Sequence, residues 1–166
     1  MAEIHVKGLA DLQKFLDTLP VKVERNILRG ALRAGMKTVQ PVAKANVRSV
    51  SGLLAAGLKI GTRARGGRVT AVLKATGRHA FVAKFLEFGT KAHFITARKN
   101  GWLSFGGIFA KSIRHPGIEK GPHAFMRPAL DSQAQAAVIA AAEYMKKRLA
   151  TKESLDTSHI TIEGDE

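Results

Sequence analysis

Apolar residues in the first part of the chain recur at helical spacing. Alternation of Ile4 and Val6 with polar neighbours first predicts a short strand over 3–7, before Gly8. A short amphipathic helix ending at Pro20 is predicted from apolar residues at intervals of three and four, namely Leu9, Leu12, Phe15, Leu16 and Leu19. A second helix is predicted over 21–47, with a stripe at Leu28, Leu32, Gly35, Val39 and Val42, widened by Ile27, Ala31, Ala43 and Val47. Pro41 removes one backbone hydrogen bond and is expected to kink or split this helix.

The pattern changes to strict alternation after Gly52. Residues 58–63 and 68–75 alternate apolar and polar positions on either side of Gly66-Gly67, which predicts a β-hairpin with a basic outer face. Helical spacing returns for about two turns at Phe81, Val82, Phe85 and Leu86, with Gly89 as a cap. Further strands are predicted at 93–97, 103–105 and 109–113, in a loop-rich region with two glycine turns.

The last helix is Ala-rich and runs from Pro128 to about Leu149. Its predicted apolar face consists of Leu130, Ala134, Ala137, Val138, Ala141, Met145 and Leu149. The fold class that follows is α+β, with N-terminal helices and this C-terminal helix packed on a small, mainly antiparallel β-sheet, and with a long loop-rich insertion. We expect one domain over 1–149 and a flexible, acidic tail over 150–166.

The charge of the chain is strongly asymmetric. It holds 27 Lys and Arg against 13 Asp and Glu, a net charge of +14. The tail carries five acids against Lys152, so residues 1–149 hold +18, and no acid occurs between Glu24 and Glu87. One basic row lies at i, i+4 spacing at Arg25, Arg29, Arg33 and Lys37, and the hairpin adds Lys59, Arg63, Arg65, Arg68 and Lys74. The overall excess of cations favours a large anionic partner, either nucleic acid or an acidic protein, over a merely solvated surface. For the row on the second helix alone, a solvated face explains the charges as well as a contact surface does.

The sequence offers no catalytic constellation. The absence of Cys excludes disulfides, thiolate nucleophiles and Cys-ligated metals. Metal-dependent hydrolysis needs convergent carboxylates, yet residues 25–118 supply only Glu87. The histidines lack ligand spacing, and no phosphate-binding or nucleophile-elbow motif is present. We therefore predict no catalytic residue, no metal and no cofactor. No apolar run is long enough for a membrane span, and the amino terminus is unlike a signal peptide, so no membrane partner is expected.

Three short motifs carry a family resemblance. They are Leu86-Glu87-Phe88-Gly89-Thr90, Arg114-His115-Pro116-Gly117, and the segment from Pro122 to Leu130 that contains Phe125, Met126, Arg127 and Pro128. Gly8-Leu9, the paired helices and Ser51-Gly52-Leu53 agree with the same layout. In this order the segments resemble the head-tail joining proteins of long-tailed bacteriophages, also called neck, tail-completion or minor tail-component proteins. The resemblance covers residues 1–149.

The resemblance implies a structural virion protein that is assembled in the host cytoplasm and lies in the neck or tail. It implies self-association into a ring, with a hexamer as one candidate size, between the head connector and the tail tube. Head-closure, tail-terminator or tail-tube proteins would be the neighbours, and the phosphate backbone of passing DNA could face the basic residues. The motif residues are candidates for an interface, although for Glu87–Thr90 and for Phe125 with Met126 maintenance of the monomer fold is favoured over direct contact with a partner.

Two local contacts are also expected from the sequence. Glu87, as an isolated acid, is expected to pair with a cation such as Arg127, and Phe125 with Met126 is expected to form an apolar staple at the start of the last helix. The alternative function is that of a basic accessory protein that binds nucleic acid without sequence preference. A nuclease or toxin is disfavoured by the missing carboxylates.

Overall fold

The computed structural model describes residues 7–47, 52–98, 101–152, 156–158 and 160–162. The strand predicted over 3–7 lies outside these residues except for Lys7. The helices in chain order are α1 (Leu9–Asp17), α2 (Val21–Asn46), α3 (Leu53–Ala56), α4 (Ala80–Phe88) and α5 (Met126–Lys152). The strands are β1 (Leu58–Arg65), β2 (Arg68–Ala75), β3 (His93–Thr96), β4 (Leu103–Phe105), β5 (Ile108–Ala110) and β6 (Ser112–His115). The α+β class is confirmed.

The strands form three separate antiparallel pairs among the described residues, not one sheet. β1 pairs with β2 in the predicted hairpin, β4 pairs with β5, and β3 pairs with β6. The last two pairs are nested, so the chain runs out along β3 and β4, turns at Gly106-Gly107 and returns along β5 and β6. The expectation of a single small sheet is therefore wrong, because the loop-rich insertion pairs with itself.

The long helices α2 and α5 pack against each other in antiparallel directions. Small residues permit the approach: Gly35 faces the carbonyl of Ala137, and Gly30 lies against the ring of Tyr144. The sequence predicts packing of the last helix on the sheet, but α5 packs mainly on α2, which also contacts the β1–β2 hairpin. Helix α2 continues through Pro41 without a break.

Two clusters of buried side chains lie at opposite ends of the α2–α5 pair. The first joins the end of α2 with α3, β1, α4 and the start of α5, through Val39, Ala43, Leu54, Leu58, Ala83, Phe125 and Ala129. The second joins α1, the start of α2, the end of α5 and the tail, through Leu12, Leu16, Ile27, Ala142, Leu149 and Ile160. Leu130, predicted on the apolar face of α5, is 49% exposed, and its neighbour Ala129 is buried instead.

Part of the acidic tail lies against the helical body. Ile160 is buried in the second cluster, and its carbonyl accepts a hydrogen bond from Lys146 Nζ. The carbonyl oxygen of Thr161 lies so close to Gly8 that a Cβ there would stand 2.5 Å from it. The domain boundary and the flexibility of the tail stay predictions, but residues 160–162 have a defined docking place.

Candidate functional site

The three motifs meet where α4 ends and α5 begins. Glu87, in the last turn of α4, is only 5% exposed and points at the first turn of α5. Its Oε2 accepts hydrogen bonds from the backbone N–H groups of Phe125 and Met126 at 3.0 and 2.9 Å, and its Oε1 accepts one from Arg127 at 3.0 Å. The first N–H groups of a helix have no partner inside the helix, so this carboxylate acts as a cap supplied from 38 residues away.

The surroundings of Glu87 favour its charged form. Burial raises the pKa of Glu87, but the three backbone N–H donors and the Arg127 guanidinium together lower it by more, so the pKa lies below its ordinary value. The expected ion pair with Arg127 is long, with Nε 3.9 Å from Oε1. The Arg127 side chain is 58% exposed and lies over the ring of Phe88 at 5.1 Å. The backbone of α5, rather than the arginine, is the main partner of Glu87.

Gly89 and Gly117 allow two chain segments to touch next to this cap. Thr90 and Ile118 exchange two backbone hydrogen bonds, of 2.9 and 3.0 Å. Gly89 has φ 73°, and a Cβ there would stand 2.6 Å from the carbonyl oxygen of Ile118. Gly117 has φ 92°, and its Cβ would collide with the carbonyl oxygen of Thr90. Each motif glycine is thus required both by its φ and by a close backbone neighbour.

The remaining motif residues flank this bridge and the cap. His115 stacks on His93, its partner across the β3–β6 pair, with ring centroids 5.1 Å apart. His115 Nδ1 accepts a hydrogen bond from the N–H of Gly117 and so orders the turn that contains the exposed Pro116. Phe125 is fully buried and Met126 packs against the first cluster, at the start of α5 where the apolar staple was expected. Pro128 lies in the first turn of α5, where its missing N–H costs nothing.

The basic residues of the hairpin all lie on one face. Lys59 pairs with Lys74 across the strands and Arg65 with Arg68, while Arg63 lies between them on the same side. Residues opposite each other in an antiparallel pair share a face, so these five exposed cations form one surface. The other face, toward α2, carries Leu58, Ile60 and Leu73. On α2, the row Arg25, Arg29, Arg33 and Lys37 is exposed as well.

A comparison of the chain with known protein families tests the resemblance that the motifs predict. Residues 10–89 match the family model described as "Bacteriophage HK97-gp10, putative tail-component". The resemblance to a family of phage tail components, predicted from the motifs, is thereby confirmed. No curated protein and no solved structure matches the chain. The match spans α1 to the end of α4 and includes Glu87, whereas the α5 residues that Glu87 caps follow after it.

The segment after the match exposes apolar side chains that the sequence analysis did not single out. We call residues 90–118, which contain β3–β6 and are closed by the Thr90–Ile118 bridge, the arm. Its exposed apolar residues include Phe94 at 71%, Trp102 at 61%, Ile108 at 59% and Phe109 at 66%. The sequence predicted strands in this region, but a predicted strand does not by itself tell whether its apolar side chains are covered.

Two classes of site are absent from the described part of the chain. Within it, no three His, Asp or Glu residues come close enough together to hold a metal ion. None of the helices described there is long and apolar enough to cross a membrane. The motif residues lie around the contact of α4 with α5, whereas the basic hairpin face, the basic row of α2 and the arm are exposed.

Proposed function

We propose that the protein is a non-enzymatic structural component of a phage virion that acts at the junction of head and tail. The match of residues 10–89 to a family of phage tail components carries this proposal. The junction around Glu87 supports it, because the carboxylate of Glu87 is taken up by three backbone N–H groups of α5 and the motif residues there hold helices and a bridge together.

The protein would act as a ring-forming homo-oligomer between the head connector and the tail tube, assembled in the host cytoplasm. Head-closure, tail-terminator or tail-tube proteins would be its neighbours. The net charge of +18 on residues 1–149 supports a role with partners, since such a charge repels itself and is relieved by acids or phosphates from outside. The exposed arm supplies apolar surface for protein contacts.

The basic hairpin face favours contact with the backbone of DNA as part of this role. Its five cations form one surface, and the sequence places no acid between Glu24 and Glu87. Phosphate contacts of this kind are independent of base sequence and weaken with salt. The same observation supports the second candidate, a basic accessory protein that binds nucleic acid without forming part of the particle.

The decisive experiment uses a phage whose genome encodes this chain. Mass spectrometry of purified particles should find the chain in mature virions, and a nonsense mutation in its gene should leave filled heads and free tails that do not join. Supplying the wild-type chain from a plasmid should restore joined particles. Infectious particles formed in full number without the chain would refute the structural role and would favour the accessory protein.

A further inference from the structure

The outer part of the arm is apolar on both of its faces and carries no charge. We call residues 102–110, which contain β4, β5 and the turn between them, the tip, and the sequence places no charged residue in it. Phe105 pairs with Ile108, so their side chains lie on one face, whereas Phe109 lies on the other. Ile108 and Phe109 are 59% and 66% exposed, and no residue of the tip is buried. A flat partner surface would cover one of these faces and leave the other in water.

The rest of the arm, which we call the stem, carries the positive charge. The sequence places no acid between Glu87 and Glu119. The four described cations of the stem are all exposed, namely Lys91, Arg98, Lys111 and Arg114. Lys111 directly follows the tip, and its Nζ lies 5.5 Å from the ring centre of Trp102 at the opposite boundary of the tip. The arm thus presents an apolar end, a tryptophan at the boundary and a cationic stem, in that order.

This order of side chains distinguishes between the anionic partners that the arm could bind. A second copy of the chain is disfavoured, because residues 1–149 carry a net charge of +18. Nucleic acid is disfavoured for the tip, because aromatic residues that stack on bases are accompanied by cations that hold the phosphates, and the tip has no cation. The surface of an anionic membrane offers negative headgroups outside and acyl chains below, and it surrounds an inserted segment on all sides.

The dimensions of the tip fit the interface of a membrane. β4 and β5 pair over three residues, which is about 10 Å. Apolar faces that bind at a membrane interface are buried to a depth of about 5–10 Å. Among the described residues the pair has no further strand at its edges, so its unpaired backbone groups keep it at the headgroup boundary and out of the hydrocarbon core. Trp is typical of this boundary, because its ring is apolar and its N–H is polar.

We propose that the tip inserts into the headgroup region of an anionic lipid bilayer, with the cations of the stem against the lipid phosphates and Trp102 at the boundary. We expected no membrane partner because no apolar run can span a bilayer, but binding at the surface of a bilayer needs no such run. The inference goes beyond the proposed function. The exposed apolar residues of the stem, Phe94 and Ile95, remain available for protein contacts.

Vesicle binding by the full-length chain tests the proposal, and Trp102 supplies the signal because it is the only Trp in the sequence. The probes are vesicles of phosphatidylcholine alone and vesicles that also contain phosphatidylglycerol. With the anionic vesicles, the Trp emission should shift to shorter wavelength, and lipids brominated near the headgroup end of the acyl chain should quench it. Unchanged emission with the anionic vesicles, or equal binding to the neutral ones, would overturn the proposal.

A tip variant separates insertion from adhesion of a basic protein. Ile108→Ser with Phe109→Ser should lower the partition coefficient for anionic vesicles by roughly 30-fold, because two apolar side chains no longer leave water. The matched control is Val21→Ser with Phe81→Ser. It removes an aliphatic and an aromatic side chain outside the arm, 64% and 60% exposed, and should bind like the wild type.

A stem variant tests the cations in the same assay. Arg98→Gln with Arg114→Gln should lower the partition coefficient by about five-fold for each cation removed. The matched control, Arg25→Gln with Arg29→Gln, removes the same charge from exposed positions on α2 and should lower it much less.

The remaining outcomes assign the arm differently. Wild-type binding by the tip variant, or equal losses in the two arginine variants, would mean that the basic surface adheres through charge alone, and the proposal would fall. It would also fall if the wild type bound no vesicles and the tip variant failed to restore joined particles in the nonsense mutant, because the tip would then occupy an acidic socket of another virion protein. Mass spectrometry of virions is independent of all these results, so the proposed function is decided separately.

Discussion

Replacing Glu87 by Gln tests the main contact between α4 and α5. The substitution keeps the size of the side chain but removes its charge and turns one of its two acceptor oxygens into an NH₂ group. If the remaining oxygen takes the place of Oε2, it can still accept from Phe125 and Met126. The NH₂ group then faces the N–H of Arg127, and two donors meet where the wild type has a 3.0 Å hydrogen bond.

The size of the effect follows from this geometry. A hydrogen bond to a charged group contributes about 1.5–3 kcal/mol, and a buried donor left without a partner costs a similar amount. The two retained bonds also lose their charge, which weakens the interaction with the positive end of α5. We expect Glu87→Gln to lower the free energy of unfolding by about 2–3 kcal/mol, which for a chain of this size lowers the Tm by roughly 4–12 °C.

Thermal unfolding at neutral pH, followed by circular dichroism at 222 nm, measures this loss. The matched control is Glu143→Gln, which removes the same charge from an exposed position on α5. The control should change the stability by no more than about 0.5 kcal/mol. If the two variants melt together, the carboxylate does not cap α5 in the way described.

Three further predictions concern the same junction and the basic face. The low pKa of Glu87 means that its stabilising effect is complete above the ordinary pKa of a glutamate and is lost as the pH falls through the lower folded-state pKa. The difference in Tm between the wild type and Glu87→Gln should therefore shrink in acid titrations, and a constant difference would contradict the assignment. Gly89→Ala should cost about 2–4 kcal/mol in urea unfolding, because it adds a clash with the carbonyl of Ile118 to the cost of positive φ, whereas Gly66→Ala, with open space around it, should cost about 1–2 kcal/mol. Replacing Arg63, Arg65 and Arg68 of the hairpin by neutral residues should make the slope of log K against log salt for duplex DNA binding less steep by about 0.9 per lost phosphate contact. Fluorescence anisotropy at several salt concentrations measures this slope, and an unchanged slope would place DNA on another surface.

The helices and the hairpin could be predicted from the sequence because their signals are local. The spacing of apolar residues gave α1, α2, α4 and α5 to within a few residues, and the alternation around Gly66-Gly67 gave the hairpin with its basic face. The sequence predicted which side of α2 is apolar, but not which residues of that side are buried. Ile27 and Ala31 are buried, and the sequence could not distinguish them from Leu28 and Leu32, which are equally apolar. Pro41 did not interrupt α2, since one missing backbone bond is tolerated when neighbouring turns are packed.

The junction depended on contacts between distant segments, which no local pattern reveals. An isolated acid among cations predicts an ion pair, yet Glu87 bonds mainly to backbone N–H groups of α5, and backbone donors are the same in every sequence. The sequence also could not predict that β3 pairs with β6 around the β4–β5 pair, because several short strands can pair in several ways. The sequence motifs could not show that their residues meet at the start of α5; only the structure shows this contact.

The Thr90–Ile118 bridge gives the arm an independence from the rest of the molecule. The chain leaves and re-enters the body at a single pair of residues, directly beside the point where Glu87 fastens α5. We therefore expect changes in length or sequence at the tip of the arm, away from the bridge, to leave the helical scaffold folded. A related chain could carry a different segment in place of the arm and so bind a different partner while keeping the same helical fold.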